Sequence, residues 1–527
     1  MNQRRIGPLL VACVHVLAAG ILMGSCASPP DLASIGPVTG ATDIVTTPTR
    51  LMPDGPIRIT VMDAILRGLE NNRALRVQRM GPAIQRTYET QTDSAFDPVF
   101  SAQLSQQKSI VEQRADSGFT NVDATTVNGS VSLSKTFATG TKISLDGVTS
   151  LVDSSLYSDE LDTVRGGISI TQSILKGGWR PANLASLRQA QLDTLSTEYE
   201  LRGYAEAFVG QVESTYWDYA LAHNKIDIYS NSLSIAEQQF SETKDRIAVG
   251  KTAALELSAA EAEVASRQTD LINARSTLEK TRLRLLHLLS PAGSNIFQRE
   301  ILLLERPAVP EVIQDGVEAH VEVARHMRPD LNQARLALQR GTLEVVKTRN
   351  GLLPKLDLFV NLGRSGYADS FGAAVDDVNG DFHDAAAGVM IEYPLGDSDA
   401  EAKSARARLG REQAAETLDN MQQLVEVDVR SAYAEVQRAR EEVAAVEVLV
   451  KRRQDSLRAE NEKFSVNKST TLLVAQAQRD LLASQIQRIQ AVVSYLQSFI
   501  DLYRLEGSLL QRRGISAPGN APVVNLP

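Results

Sequence analysis

Proline is absent between Pro181 and Pro291 and again between Pro394 and Pro518, and both stretches are rich in Ala, Leu, Gln, Glu and Arg. Proline lacks a backbone donor and clashes with the preceding turn, so these are stretches where α-helices can run uninterrupted. Each contains one break, Val249-Gly250-Lys251-Thr252 in the first and Val466-Asn467-Lys468-Ser469 in the second, where Gly or Asn tolerates the left-handed conformation that ends a helix. Each stretch therefore reads as a helical hairpin, over 181–290 and 398–510. At 1.5 Å per residue, an arm from Ala182 to Asp245 reaches roughly 95 Å. No compact domain is that long, which argues against dividing 527 residues into three or four domains of roughly 150 each.

The two hairpins align without a gap at an offset of 217 residues: Val212-Glu213-Ser214-Thr215-Tyr216 matches Val429-Arg430-Ser431-Ala432-Tyr433, Arg246 matches Lys463, Val249 matches Val466, and Leu255 matches Leu472. At an offset of 256, Asn72-Arg73-Ala74-Leu75 matches Arg328-Pro329-Asp330-Leu331, and Asp97-Pro98 matches Leu353-Pro354. The chain is an internal duplication, with repeats over 57–305 and 306–510. Each starts with a helix of about 35 residues, over 60–92 and 312–348, and proceeds through strands to its hairpin. Residues 511–527 read as a disordered tail.

The strand regions, 97–175 and 355–395, alternate with period two. Leu356, Leu358, Val360 and Leu362 form one run and Ala387, Val389, Ile391 and Tyr393 another; Phe100-Leu104, Val131-Leu133, Ile143-Leu145 and Ile168-Ile174 mark four more. Lengths of about 8 to 11 residues suit tilted strands crossing an outer membrane. The polar segments 109–126, 152–164 and 366–384 read as loops between them.

At the N-terminus, Arg4 and Arg5 precede an apolar stretch, Leu9 to Met23, that ends in Gly24-Ser25-Cys26. Residues 1–25 have the plan of a signal peptide, and the Cys after Gly-Ser resembles a bacterial lipoprotein signal, in which Cys26 becomes the lipidated first residue. Residues 26–56 then form an extended tether. The 2 Cys, Cys13 and Cys26, leave the body without a disulfide framework. A net charge of −9 with no local basic run argues against a nucleic-acid partner.

Six strands at most cannot close a barrel, and an open edge in lipid leaves unpaired backbone groups. Long Ala-rich helices also need neighbours. Both features demand an oligomer. The sequence here resembles the TolC-like outer-membrane efflux and secretion channels. The resemblance covers about 57–507 and rests on Ile59-Thr60-Val61-Met62-Asp63-Ala64-Ile65, Glu70-Asn71-Asn72, the Arg328-Pro329-Asp330-Leu331 echo, Leu175-Lys176-Gly177-Gly178, Tyr216-Trp217-Asp218-Tyr219 and the two hairpin tips. It implies a mixed α and β membrane protein in which a trimeric transmembrane β-barrel continues into a long periplasmic α-helical barrel. It also implies a homotrimer in the outer membrane, with a periplasmic adaptor protein and an inner-membrane transporter as partners in a tripartite pump or type I secretion system, and no cofactor. A choice between four strands per protomer, common in the family, and six stays open, with an 18-stranded barrel slightly favoured.

Docking is expected at the hairpin tips, through Arg246, Val249, Gly250, Lys463, Val466 and Asn467. In the family, acidic residues beyond the second tip ring the periplasmic entrance. The matching positions are Leu473 and Gln476, so that gate does not carry over, and Glu256, at the equivalent place in the first repeat, is the alternative gate residue beside Gln476. Phe100, Phe359, Tyr367 and Tyr393 are candidates for interfacial girdles, and Trp179 for the junction of barrel and helices. Enzyme and metal readings find little support. Gly250-Lys251-Thr252 lacks the first glycine of a phosphate-binding loop, the acidic run Asp376 to Asp384 lacks calcium-loop spacing, and the 6 His show no zinc pattern. A lipid-anchored coiled-coil scaffold without a pore is the remaining alternative; membrane-length strands argue against it.

Overall fold

A computed structural model describes residues 56–115, 118–155, 161–250, 253–289, 296–310, 315–466, 468–519 and 523. The first repeat comprises β1 (Ile57–Ile59), α1 (Val61–Asn71), α2 (Arg73–Asp93), β2 (Val99–Ala115), β3 (Gly118–Thr136), β4 (Thr141–Ser154), β5 (Leu161–Ser173), α3 (Ala185–Ala248) and α4 (Leu255–Leu289). After β6 (Ile301–Leu303), the second comprises α5 (Val317–Met327), α6 (Pro329–Gly351), β7 (Lys355–Ala368), α7 (Phe371–Asp377), β8 (His383–Glu392), α8 (Ser398–Ser465) and α9 (Thr471–Leu505), and α10 (Leu509–Arg512) follows.

The expected opening helix of each repeat is two helices. Asn72, at φ −63° and ψ 122°, leaves helical geometry, and its side-chain oxygen accepts the Leu75 N–H to cap α2. Arg328 breaks the second repeat with the same dihedrals, φ −63° and ψ 123°, and Pro329 begins α6 where a missing N–H costs nothing. The two halves thus break at equivalent places in the backbone. α1 and α5 coincide at both ends at the 256-residue offset, and α3 and α8 end at the same place at the 217-residue offset. α3 has 64 residues and α8 has 68, about 95–100 Å each, while α4 and α9 have 35. The shorter arms pack on the tip-ward halves of the long helices; α2 packs on the rest of α3, and α6 packs on both α3 and α8.

The six long strands form one sheet in the order β2-β3-β4-β5-β7-β8, antiparallel throughout. The strands are longer than expected: β2 has 17 residues and β3 has 19, and the polar segment 109–126, read above as a loop, lies largely within them. Continuous pairing from Val99↔Ser134 to Ala115↔Gly118 explains this, because backbone hydrogen bonding does not require apolar side chains.

A small core lies where the repeats meet. β1 and β6 pair in parallel, Ile57↔Ile301 to Ile59↔Leu303. The α3 tyrosines hold them: Tyr216 Oη donates to the Ile59 carbonyl at 3.3 Å and Tyr219 Oη to the Ile301 carbonyl at 3.1 Å. Ile65, Val212, Leu285 and Leu289 fill the space around them. The second repeat has a separate valine ladder on α8, Val425, Val429, Val436 and Val443, against Tyr495, Phe499 and Leu502.

The tail expected to be disordered from residue 511 is packed over its described residues. Arg513 makes a bidentate pair with the buried Glu213 at 2.7 Å, Arg202 donates to the Gly519 carbonyl at 2.7 Å, and the Val523 N–H reaches Asn332 at 3.2 Å. Buried charges on α3 need partners, and this segment supplies them.

Candidate functional site

The register divides the sheet into two unlike faces. Phe100, Leu133, Leu145, Ile168, Leu362 and Ala385 lie opposite one another across all six strands, and Ile143, Ile170, Val360 and Ala387 form a second apolar row. Phe100, Leu133, Leu145 and Leu362 are exposed. The opposite face is hydrophilic and internally bonded. Ser101 meets Ser132 at 2.7 Å, Ser144 meets Ser169 at 3.2 Å, Ser173 donates to Asp357 at 2.8 Å, and Arg165 pairs with Asp384 at 2.7 Å. One face suits lipid and the other suits water. No helix among the described residues is long and apolar enough to cross a membrane.

At the far ends of the long helices the two tips are tied together. The Arg246 guanidinium lies over the Phe464 ring, 4.5 Å from its centroid, and Thr471 Oγ1 donates to Glu256 Oε2 at 2.5 Å. Both contacts join the first tip to the second. Gly250 has φ +71°, and nothing among the described residues lies within 4 Å of an added Cβ, so its requirement for glycine is conformational. Val249, Leu255, Val466 and Leu472, related by the 217-residue offset, leave an apolar cluster 61–83 % exposed. Lys463 pairs with Glu460 at 2.5 Å, and Ser469 donates to the same carboxylate at 2.8 Å. Gln476 is exposed on α9, and no hydrogen bond joins it to Glu256 among the described residues. Asn467 and Cys26 lie outside the described residues.

The model of the family described as outer membrane efflux protein matches residues 67–290 and 321–508. The chain belongs to the outer membrane efflux protein family. A relative in Brucella suis biovar 1 (strain 1330), the outer membrane efflux protein BepC, is 23% identical over 329 residues, covering 62% of this chain and 68% of the relative. Among solved structures, CusC superimposes with a TM-score of 0.65 at 17% identity, covering 87% of this chain and 95% of that one. VceC from Vibrio cholerae gives 0.63 at 14% identity, covering 85% and 96%. The open state of MtrE from Neisseria gonorrhoeae gives 0.59 at 16% identity, covering 85% and 89%. The chain is therefore an outer-membrane protein of an efflux family, a transport family rather than an enzyme family.

In this outer membrane efflux protein the aromatic positions divide. Phe100, Tyr393 and Trp179 are exposed at the helix-side end of the sheet, and Tyr367 packs edge-on against Phe382 at the other. Phe359 lies on the hydrophilic face over Gly388, where a Cβ would sit 2.7 Å from its ring, so it fills a glycine gap and joins no girdle. The acidic run is anchored locally, Asp377 accepting the Tyr367 N–H at 3.0 Å. Among the described residues no group of three or more His, Cys, Asp or Glu is placed to hold a metal ion.

Sequence reasoning missed the buried charge cluster between the repeats. Arg202 on α3 pairs with Glu206 at 3.2 Å and donates to the Gly507 carbonyl at 2.9 Å. Glu506, fully buried, is held by His320 at 2.5 Å, Arg512 at 2.9 Å and Ser508. Burial pushes the Glu206 carboxyl up to about 7 despite the adjacent Arg202. The sequence signal was a charge at helix positions that bury their neighbours: Glu206 and Glu213 fall among Ala205, Val209 and Val212.

Proposed function

We propose that three copies of this chain form one duct, β2 of each protomer pairing with β8 of the next to close an 18-stranded barrel with its hydrophilic face inward. The observation that carries this reading is the six-stranded sheet with one apolar face, one hydrophilic face and two edges without partners among the described residues. An exposed edge in lipid costs several kcal/mol per unpaired group, which closure with other copies removes. The helices agree with the sheet: α2 leads into one edge strand and α8 leaves the other. Val77, Met80, Ile84 and Tyr88 place an exposed apolar stripe along α2, spaced for one helix face. That stripe is the seam for the neighbouring α8. A barrel of this strand number leaves an aqueous channel, and a pore-free scaffold gives the apolar sheet face no role.

In this arrangement the helices project into the periplasm, the apolar tips receive a periplasmic adaptor protein, and an inner-membrane transporter loads the duct with small molecules or polypeptides. Cys26 anchors the N-terminus in outer-membrane lipid. The full-length protein should run as a heat-modifiable trimer and give stepwise conductance in planar bilayers; a monomer without conductance overturns the reading. Glu256, held by Thr471, contributes negative charge to the closed tip. Glu256→Gln should lower cation selectivity in single-channel recordings, and unchanged selectivity would remove it from the gate.

A further inference from the structure

Where the sheet meets the helices, this acidic chain of net charge −9 carries a basic groove. The groove, of about 940 Å³, runs between the start of α3 and the facing parts of α6 and α8, and is lined by Lys176, Arg340, Lys347, Lys403, Arg406 and Arg411. Only Glu344 and Asp399 oppose them. Asp399 is taken by Lys403 at 2.6 Å, Arg340 pairs with Asp193 at 3.0 Å, and Glu344 accepts from Gln189 at 2.9 Å. Lys176, Lys347, Arg406 and Arg411 have no carboxylate partner among the described residues. At Gly341 the two helices come close enough that a Cβ would lie 3.3 Å from Arg411 Cα, so the groove has a closed floor.

Its level in the molecule identifies its ligand. Lys176 follows the end of β5, and Asp399 and Lys403 lie in the first turns of α8, just past β8. Around the same junction Ile174, Trp179, Tyr393 and Leu395 are exposed, Leu395 to 96 %. Aromatic side chains beside Lys and Arg mark the headgroup layer of a membrane. Unpaired cations at that depth meet lipid phosphates.

We infer that this groove binds the phosphate of an anionic phospholipid headgroup and thereby fixes the depth of the barrel in the bilayer. The inference rests on the membrane placement of the sheet proposed above. Each basic side chain near an anionic surface contributes about fivefold in affinity, so removing three weakens binding by roughly a hundredfold at low salt.

The test uses the full-length protein purified in detergent, with phosphatidylglycerol or phosphatidylcholine added and bound lipid counted by native mass spectrometry. The wild type should retain phosphatidylglycerol in preference to phosphatidylcholine. The combined variant Lys176→Gln, Lys347→Gln and Arg406→Gln should lose it, and Lys244→Gln, Lys451→Gln and Arg452→Gln, far along the helices, should keep it. Lys347→Arg should also keep it. Equal retention by the groove variant, or no preference between the two lipids, overturns the inference. Binding of inorganic phosphate without retained lipid reassigns the groove to a free anion and overturns it as well. Bilayer conductance of the same preparations separates the two readings: a conducting protein whose groove variant retains lipid sinks this inference alone, whereas a wild type without conductance sinks the membrane placement.

Discussion

The long helices of the two repeats, α3 and α8, share a backbone plan but not an environment. At equivalent positions in the 217-residue offset, Glu213 is buried and paired with Arg513, whereas Arg430 is exposed among Glu426 and Glu318. Tyr219, which holds β6, corresponds to Val436 in the valine ladder. The first repeat also supplies four strands to the sheet and the second only two. Helix lengths and breaks are therefore common to both repeats, while side-chain identity follows what each helix packs against. The difference in strand number adds a hairpin to the first repeat without disturbing the helices. An antiparallel sheet accommodates that, because removing or adding a strand pair leaves the direction of the flanking strands unchanged.

The largest test of this asymmetry removes the extra strands. Deleting residues 118–154, which span β3 and β4, leaves β2 antiparallel to β5 and gives both repeats two strands. Because barrel diameter grows linearly with strand number, the largest polyethylene glycol that enters from the sheet side should shrink in diameter by about a third. An unchanged exclusion limit would place that hairpin outside the wall. Next in size is the contrast between Glu213 and Arg430. Arg513→Ala leaves the buried Glu213 carboxylate without its partner and should destabilise the protein by about 3–5 kcal/mol, read as lowered thermal stability. Glu426→Ala, beside the exposed Arg430, should leave melting unchanged. Equal effects would show that the two positions are alike after all.

The smallest effect is a pH dependence confined to the first repeat. Glu206 has a folded pKa of about 7, raised from 4.5 by burial. Between those values the folded state holds a proton that the unfolded state has released, so this group's contribution falls as pH rises from about 4.5 to about 7. Glu206→Gln should flatten the melting curve's pH dependence in that window. A variant as pH-sensitive as the wild type would remove Glu206 from the linkage.

What was legible in the sequence was periodic or local. Proline-free stretches gave the hairpins, the alternation at Leu356 to Leu362 gave strands, and Val249-Gly250 gave a tip. The helix breaks at Asn72 and Arg328 carried readable signals, an Asn cap and a proline at the following helix start, yet the amphipathic pattern runs through both. The β1–β6 pair was hidden because strands of three residues have no measurable period, and their partners lie far apart in sequence. Polar composition at 109–126 masked strands that are held by backbone pairing. Neither the link between Arg513 and Glu213 nor that between Thr471 and Glu256 follows from local sequence, since each joins residues more than 200 apart.

In the proposed trimer the open sheet is one third of a closed wall. Single-particle imaging of the full-length protein in lipid nanodiscs tests it most directly. Three protomers should surround one barrel of 18 strands, with β2 of each paired to β8 of the next and Arg165 and Asp384 facing the channel. A barrel closed without β3 and β4, or a sheet whose Phe100-to-Leu362 row faces water inside the channel, would contradict it.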